Sequence, residues 1–229
     1  MSVGEGDVEV AAVGEADQAD DVVATDGRVI GRRAIQTRRR ILDTTAVLLQ
    51  QQGALDLKVI DVAREVGTSP ATFYQYFADV EDAILALATE TVSGVEAFAE
   101  RFATDWTAPG GLDEARSLVG AYMDFWGEHQ AVLRIMHLRA DEFDPRFRSV
   151  RRSYNEPLLA AMVVKVKGAQ DARRLPLDLD PFATAGAMLA VLDRLTSFRE
   201  TFERRGTSRS AMVATVARIL HTTLTGTTP

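Results

Sequence analysis

The 229-residue sequence predicts an all-α protein in which a small N-terminal helix-turn-helix domain is joined to a larger helical domain. Apolar residues recur every three or four positions along most of the chain, which is the spacing of an amphipathic helix. No segment shows the alternation of apolar and polar residues that is typical of a half-buried strand. Between residues 59 and 77, two short apolar patterns flank a tight glycine turn, as in a helix-turn-helix.

Charge divides the chain into parts. The first 27 residues carry eight acids and no base, whereas residues 28–80 carry eight bases against five acids. The net charge of −7 argues against a nucleic-acid partner, but this local asymmetry is the more informative quantity. We predict a disordered acidic tail over 1–30, because its polar composition lacks periodicity. A helix-turn-helix domain over 31–80 and a ligand-binding and dimerisation domain over 81–229 follow.

The composition excludes several classes of site. Cysteine is absent, which excludes disulfides and cysteine-based metal sites and is compatible with a reducing cytoplasm. No apolar run is long enough to predict a membrane span, and the acidic first 30 residues do not resemble a secretory signal. We therefore expect a cytoplasmic protein with no membrane partner, no cofactor and no metal site.

Three helices are predicted in the first domain. Their spans are 35–52, 59–66 and 70–77. Gly53 predicts the end of the first helix, since glycine is common just after a last helical turn. Ser69 predicts the N-cap of the third helix, and Pro70 then occupies its first position, where the missing N–H costs nothing.

The third helix carries the candidate nucleic-acid chemistry. Phe73 and Phe77 are four residues apart and can anchor it to the core, which leaves outward positions for Thr72, Tyr74, Gln75 and Tyr76. Hydroxyl groups can donate to phosphates, and a glutamine amide can bond the edge of adenine in the major groove. The alternative is that the two tyrosines merely seal a helical core, as half-buried tyrosines commonly do.

Three consecutive arginines lie near the predicted start of the first helix. Positive charge at a helix N-terminus opposes the helix dipole, so Arg38, Arg39 and Arg40 are better explained by an external anion. Phosphates of a DNA duplex are such anions, and their attraction for basic side chains dominates non-specific affinity.

The segments "RRRILDTTAVLLQQQG" and "VIDVAREVGTSPATFYQYFADVEDAI" resemble the N-terminal domain of the TetR/AcrR family of bacterial transcriptional regulators. The resemblance implies that the third helix enters the major groove of DNA. Thr72 and Tyr76 would then contact phosphates, and four further side chains would face bases or sugars: Pro70, Ala71, Tyr74 and Gln75. The full candidate DNA-binding set is Arg38, Arg39, Lys58, Ser69, Pro70, Ala71, Thr72, Tyr74, Gln75 and Tyr76.

Two positions depart from the family pattern. Val80 stands where the family often has a lysine that touches the DNA backbone, and valine cannot make that contact. Lys58 stands where the family often has threonine, and its ammonium group can reach a phosphate from another direction.

Residues 80–102 predict one long helix, with an apolar stripe from Val80 to Phe102. Further helices are predicted at about 112–127, 129–140, 143–168, 179–204 and 208–224. The resemblance implies that the aromatic and apolar residues of this region line a pocket for an apolar or amphipathic effector, although an ordinary helical core is the alternative. The candidate ligand-binding set is Phe98, Phe102, Trp126, Met136, His137, Tyr154, Asn155 and Met188, with His129 and Asp193 as further polar candidates.

The last two predicted helices carry apolar stripes, which are Met188, Leu192, Leu195, Phe198 and Phe202, then Val213, Val216, Leu220 and Leu224. The resemblance implies that these helices pair with their copies in a four-helix bundle. The expected partner is therefore a second copy of the chain, and the homodimer would hold two reading heads about 34–36 Å apart, or a multiple of that distance.

The expected function is a ligand-responsive repressor that a small apolar or amphipathic effector releases from a palindromic double-stranded DNA operator. An activator, or a DNA-binding protein without an effector, is the alternative. A helical enzyme is a remote third reading, because the chain has three histidines and no recognisable nucleophile, phosphate-loop or metalloprotease motif.

Overall fold

The computed structural model describes residues 31–52 and 56–228. Within these ranges the chain folds as α1 (Arg32–Gln52), α2 (Val59–Val66), α3 (Pro70–Tyr74), α4 (Val80–Val92), α5 (Glu96–Ala103), α6 (Gly111–Glu128), α7 (Gln130–Asp141), α8 (Pro145–Asp171), α9 (Pro181–Ser197), α10 (Arg199–Glu203) and α11 (Arg209–Thr225). The described part of the chain contains no strand, so the predicted all-α class is confirmed. The expected tail over 1–30 and the expected stop at Gly53 lie outside the described residues. No helix in the described ranges combines the length and apolar character needed to cross a bilayer.

Helices α1, α2 and α3 form the N-terminal domain around a small apolar core. Helix α2 packs on both α1 and α3, and Ile41, Leu42 and Val62 are fully buried there. Gly67 ends α2 with a positive φ of 74°, and its backbone N–H bonds the last turn of the helix. Glycine adopts this left-handed conformation without the steric cost that a Cβ adds, so the chain can turn at once into α3.

Two predicted helix boundaries in this domain are wrong. Helix α1 begins at Arg32 and not at residue 35, so the three arginines lie beyond its first turn, where the dipole penalty is small. Helix α3 ends at Tyr74 and not at Phe77, because the backbone tightens there: the Gln75 N–H donates to the Thr72 carbonyl and the Tyr76 N–H to the Phe73 carbonyl, three residues back in each case.

The predicted long helix over 80–102 is in fact two helices. Its apolar stripe is buried throughout, but the backbone breaks at residues 93–95 between α4 and α5. Gly94 lies at the break, where only a small residue fits without displacing the Phe125 ring, since a Cβ would approach that ring to 3.1 Å. The stripe predicted which face is buried, and it could not predict that the helix is interrupted.

The larger domain is built around α8. Helix α5 packs along α8 on one side and α7 and α9 pack on others, while α11 contacts α6, α8 and α9. Helix α4 joins the two domains, since it packs on α1 as well as on α7 and α8. The start of α6 is tightly fitted, because a Cβ on Gly111 would lie 1.9 Å from the backbone oxygen of Trp106.

The apolar stripes of the last two predicted helices are partly buried within the chain, so they do not by themselves require a second copy. Met188 and Leu192 of α9 are buried inside the chain, and so are Val216, Leu220 and Leu224 of α11. The predicted helix over 179–204 also divides into α9 and α10 at Phe198, whose ring is 40% exposed. Whether these helices also form a dimer interface stays a prediction, and it now depends on their outer faces.

Candidate DNA-reading surface and effector cavity

Helix α3 is held in place by its own N-cap. The Ser69 hydroxyl oxygen accepts the Thr72 backbone N–H at 3.1 Å, and the two side-chain oxygens are 3.0 Å apart. Pro70 occupies the first helical position, as predicted. The hydroxyl is a second acceptor for the Thr72 N–H, beside the Ser69 carbonyl at 3.0 Å, so the short helix has a defined start.

The aromatic residues of α3 divide into anchors and exposed groups. Phe73 and Phe77 are buried, with ring centroids 5.7 Å apart, and they fix the helix to the core. Tyr74 is 54% exposed and meets Phe73 edge-on, whereas Tyr76 is half-buried against the core. The sealing role considered for both tyrosines therefore applies to Tyr76 in part and not to Tyr74.

The exposed surface around α3, here called the reading face, contains most of the predicted DNA-binding residues. Its exposed members are Lys58, Ser69, Pro70, Ala71, Tyr74 and Gln75, with Thr72 half-buried beside them. Lys58 immediately precedes α2, and together with Tyr74 it lines a groove of about 570 Å³ that reaches α7. Val80 is buried in the same region, so its side chain packs the domain.

The arginine cluster of α1 has partners within the chain. Arg39 pairs with Asp43 at 2.8 Å and with Glu90 of α4 at 2.9 Å, and Arg38 lies over the Phe77 ring at 5.2 Å. Arg40 donates at 2.6 Å to a backbone carbonyl in the last turn of α2. These contacts account for the arginines without an external anion, and the contribution of Arg38 and Arg39 to DNA binding stays a prediction.

A cavity of about 1110 Å³ lies between α7 and α9 and is here called the effector cavity. Helix α7 presents residues at positions 134, 137 and 141, which share one face, and α9 presents positions 190–198 opposite. The lining residues are Trp126, Arg134, His137, Asp141, Ala190, Val191, Asp193, Arg194, Leu195, Ser197 and Phe198. The volume and the largely apolar lining are typical of sites that hold a drug-sized molecule.

A chain of hydrogen bonds runs beneath the cavity. The Tyr122 hydroxyl donates to Asp193 and lies 2.6 Å from the Tyr154 hydroxyl. Because Tyr122 has one proton to give, Tyr154 donates to Tyr122 in turn. Burial raises the pKa of Asp193 to about 6, while the Tyr122 hydrogen bond lowers it. Burial, followed by the nearby Asp193 carboxylate, raises the pKa of both tyrosines well above the ordinary value.

His137 and Trp126 add polar atoms without a protein partner. Their rings stack at 6.5 Å, and neither His137 Nε2 nor Trp126 Nε1 has a hydrogen bond among the described residues. The Trp126 N–H is close enough to affect the Tyr154 hydroxyl, but its geometry falls short of a hydrogen bond. Burial, and then the charge of Arg151, lowers the pKa of His137, which keeps the imidazole neutral near pH 7.

The predicted ligand-binding residues fall into three groups. Trp126 and His137 line the effector cavity, and Tyr154 contacts its floor through Tyr122. Asn155 lines a separate groove of about 500 Å³ beside Phe182. The remaining predicted residues are part of the buried core, away from either lining: Phe98, Phe102, Met136 and Met188.

Sequence reasoning missed the two cavity arginines, Arg134 and Arg194. Each is a charged residue on an amphipathic helix, and such residues are usually solvated, so their spacing alone gives no signal. The positions become informative only in the folded chain, where α7 and α9 face each other across the cavity and Arg134 Nη2 lies 3.2 Å from the Ser197 backbone oxygen.

Helix α7 links the effector cavity to the reading face. Its Arg139 pairs with Glu81 of α4 at 2.5 Å, and Arg146 of α8 pairs with the same carboxylate at 3.1 Å. Glu81 follows Asp79, the N-cap of α4, two residues along the chain. Arg139 and Tyr74 also line the same groove. Helix α7 therefore borders both the effector cavity and the groove beside the reading face.

Comparisons with known proteins agree with this architecture. The family model described as bacterial regulatory proteins, tetR family, matches residues 41–87, and the model described as tetracyclin repressor-like, C-terminal domain, matches residues 95–229. The comparison with curated proteins finds no match.

Several solved structures share the fold. The fatty acid degradation regulator FadR from Bacillus halodurans is 18% identical, with a TM-score of 0.60 and coverage of 84% of this chain and 96% of that chain. FadR from Bacillus subtilis in complex with stearoyl-CoA is 14% identical, with a TM-score of 0.61 and coverage of 82% and 98%. SmeT of Stenotrophomonas maltophilia, in complex with triclosan, is 16% identical, with a TM-score of 0.58 and coverage of 82% and 90%.

At these identities the structural similarity establishes the fold alone. Membership follows from the sequence models, because the C-terminal model by itself matches more than half of the chain and the N-terminal model matches the helix-turn-helix. The chain therefore belongs to the TetR family of bacterial transcriptional regulators.

Proposed function

We propose that the protein is a repressor that binds a palindromic operator as a homodimer and leaves it when a small apolar or amphipathic molecule occupies the effector cavity. The observation that carries this proposal is the reading face. A capped helix, anchored by two buried phenylalanines, presents a tyrosine and small side chains to solvent where a regulator of this family needs its DNA contacts.

The roles on DNA follow from the chemistry of each side chain. Thr72 and Tyr76 are proposed to bond phosphates, and Lys58 to attract a further phosphate from the same surface. Tyr74 and Gln75 are proposed to contact bases or sugars. Pro70 and Ala71 are proposed to face the same groups, and their small side chains let the backbone of α3 come close to the DNA. Ser69 acts through its cap, which positions all of these groups. Arg38 and Arg39 add positive charge at the edge of the surface.

The homodimer is proposed to form through the outer faces of α9 and α11. Ala183, Ala187 and Ala190 lie exposed along α9, and Ile219 is 39% exposed on α11. Small residues permit two helices to approach closely, and a second copy would cover both faces.

Replacing Ala187 with glutamate should then yield a monomer by light scattering, whereas glutamate at exposed Leu138 of α7 should leave the dimer intact. A monomeric wild type would contradict this assembly.

The effector response is proposed to pass through α7. A ligand that binds the DNA-free conformation more tightly than the DNA-bound one shifts the population toward the former, and only that difference in affinity can do so. The pairing of Arg139 with Glu81 is the contact through which α7 would reorient α4 and the reading face. Fold relatives crystallised with stearoyl-CoA and triclosan support an apolar or amphipathic effector.

A gel-shift titration tests the function. Duplexes selected from a random library should bind wild-type protein with an affinity that falls steeply with salt, as expected when several phosphates are neutralised. Absence of any selected sequence would refute the proposal that the protein binds a specific DNA sequence.

A transcription assay on the selected sequence, placed over a promoter, then distinguishes repression from activation. Binding that no compound of an apolar library weakens would favour a regulator without an effector. A protein with this role would act in the cytoplasm, where the bacterial chromosome lies.

A further inference from the structure

Two carboxylates and two guanidinium groups line the effector cavity, and they do not pair with one another. Its two carboxylates are each occupied within the chain, since Asp141 pairs with Arg151 and Asp193 accepts the Tyr122 hydroxyl. Its two guanidinium groups, both on exposed residues, are not matched by carboxylates, and Arg134 donates instead to the Gln130 side-chain oxygen and the Ser197 carbonyl. In the described part of the chain, neither Arg134 nor Arg194 has a carboxylate within ion-pairing distance.

The two arginines also lie toward the same end of the cavity. Arg134 crosses from α7 and donates to the Ser197 backbone oxygen at 3.2 Å. Arg194 stacks on Phe198, with its guanidinium carbon 3.7 Å from the ring centroid. Since Ser197 and Phe198 are adjacent, both contacts are at the C-terminal end of α9. A stacked guanidinium keeps its N–H edge available, and that edge matches the geometry of a carboxylate.

The position of Arg194 alone has a simpler explanation. Cations are favourable at helix C-termini, and Arg194 lies in the last turn of α9. Arg134 belongs to the first half of α7 and reaches the same helix end from outside α9, where the Ser197 carbonyl accepts one of its N–H groups. Neither contact gives a guanidinium group a carboxylate partner, so two positive charges meet at one end of an apolar cavity, an arrangement that suits an anion.

The rest of the cavity is suited to an apolar body. Val191 and Leu195 lie along α9, the Phe198 ring is beside them, and Trp126 forms part of the wall from α6. The volume of about 1110 Å³ is slightly above the range of roughly 300–1,000 Å³ that is usual for ligand pockets, so a molecule of this kind need not fill it. An elongated molecule could place its head group at the arginines and its body against these side chains.

We propose that the effector is an amphipathic anion, with a carboxylate head held by Arg134 and Arg194 and an apolar body that extends along Val191 and Leu195 toward Trp126. This inference rests on the proposed function, in that it assigns a chemical class to the molecule that fills the effector cavity. It adds that negative charge on the ligand is required for tight binding.

Three probes of equal chain length test the charge requirement: decanoate, methyl decanoate and decyltrimethylammonium, each kept below its micelle-forming concentration. Isothermal titration calorimetry on the full-length protein should give an affinity for decanoate at least roughly tenfold higher than for either other probe, since charge-assisted hydrogen bonds exceed neutral ones by about that factor. The R134Q/R194Q double variant should lower decanoate affinity to the level of the ester and leave ester binding unchanged.

The control is R152Q, which removes an exposed arginine of α8 that lines the other groove. It should leave decanoate affinity within about twofold of wild type. Equal affinity for the three probes, a preference for decanoate that persists in R134Q/R194Q, or no binding of decanoate would each overturn the proposal. DNA binding is measured separately on the same samples. Selective decanoate binding without release of DNA would support the ligand class and refute the effector response.

Discussion

Replacing Asp193 with asparagine should make the stability of the protein much less dependent on pH. Burial raises the pKa of this carboxyl to about 6 from an ordinary value of 3.8, and it outweighs the opposing hydrogen bond from Tyr122. One pKa unit corresponds to about 1.4 kcal/mol, so ionising Asp193 in the folded protein costs on the order of 3 kcal/mol. Asparagine keeps an oxygen that can accept the Tyr122 proton, but it carries no charge.

The sign of this pH dependence follows from whether the folded or the unfolded protein holds the proton on Asp193. Between pH 3.8 and about 6 the folded protein keeps a proton on Asp193 that the unfolded chain has lost, so this group makes the free energy of unfolding fall as pH rises through that window. Above about pH 6 the full penalty is present. The free energy of unfolding of the D193N variant, measured relative to wild type at each pH, should therefore be about 2 kcal/mol higher near pH 8 than near pH 4.5.

Urea unfolding followed by circular dichroism, at fixed protein concentration, measures this difference. The Y122F variant is the companion test, because loss of its hydrogen bond to the carboxylate should move the Asp193 titration to higher pH and enlarge the penalty near pH 8. If the stability difference between wild type and D193N stayed constant over this pH range, the buried charge would not have the role assigned to it here.

Three further predictions concern packing, capping and coupling. Gly111→Ala should lower the free energy of unfolding by about 3 kcal/mol or more, because its Cβ would meet the Trp106 carbonyl at 1.9 Å. Gly168→Ala, the control, has open space around its Cβ and should be neutral or slightly stabilising. Equal effects of the two substitutions on thermal unfolding would contradict the packing described for Gly111. Ser69→Ala removes the N-cap of α3 and should cost about 1 kcal/mol, a fall in Tm of roughly 2–4 °C, and an unchanged Tm would show that the cap contributes nothing. A bound effector weakens DNA binding by some factor, and Glu81→Gln should reduce that factor roughly two- to fivefold, because partly exposed ion pairs contribute up to about 1 kcal/mol. Fluorescence anisotropy of labelled DNA measures the factor. An unaltered factor would exclude the ion pairs of Glu81 as the route from α7 to the reading face.

The features that could be predicted from the sequence are those that depend on neighbours along the chain. The N-cap at Ser69, the turn at Gly67 and the buried pair of Phe73 and Phe77 all depend on spacings of a few residues, and the structure has each of them. The apolar stripe from Val80 to Phe102 was predicted as a buried face for the same reason.

The features that could not be predicted depend on which helices meet. An amphipathic stripe indicates that a face is buried and does not indicate whether it packs within the chain or against a second copy, so the stripes of α9 and α11 leave the homodimer a prediction. The break at Gly94 is invisible to periodicity because α4 and α5 share one buried face. The effector cavity joins side chains from three helices, and no local pattern relates Arg134 to Arg194.

The most direct test of the reading face measures operator affinity when its exposed side chains are removed. A duplex selected by wild-type protein is titrated with a Tyr74→Ala, Gln75→Ala double variant and with Val47→Ala, which alters a residue 51% exposed on α1. The account predicts that the double variant loses roughly 10- to 100-fold or more in operator affinity, keeps its non-specific affinity and unfolds near the wild-type temperature, while Val47→Ala stays within about twofold of wild type. Operator affinity that is equal in all three proteins would contradict the claim that α3 reads DNA.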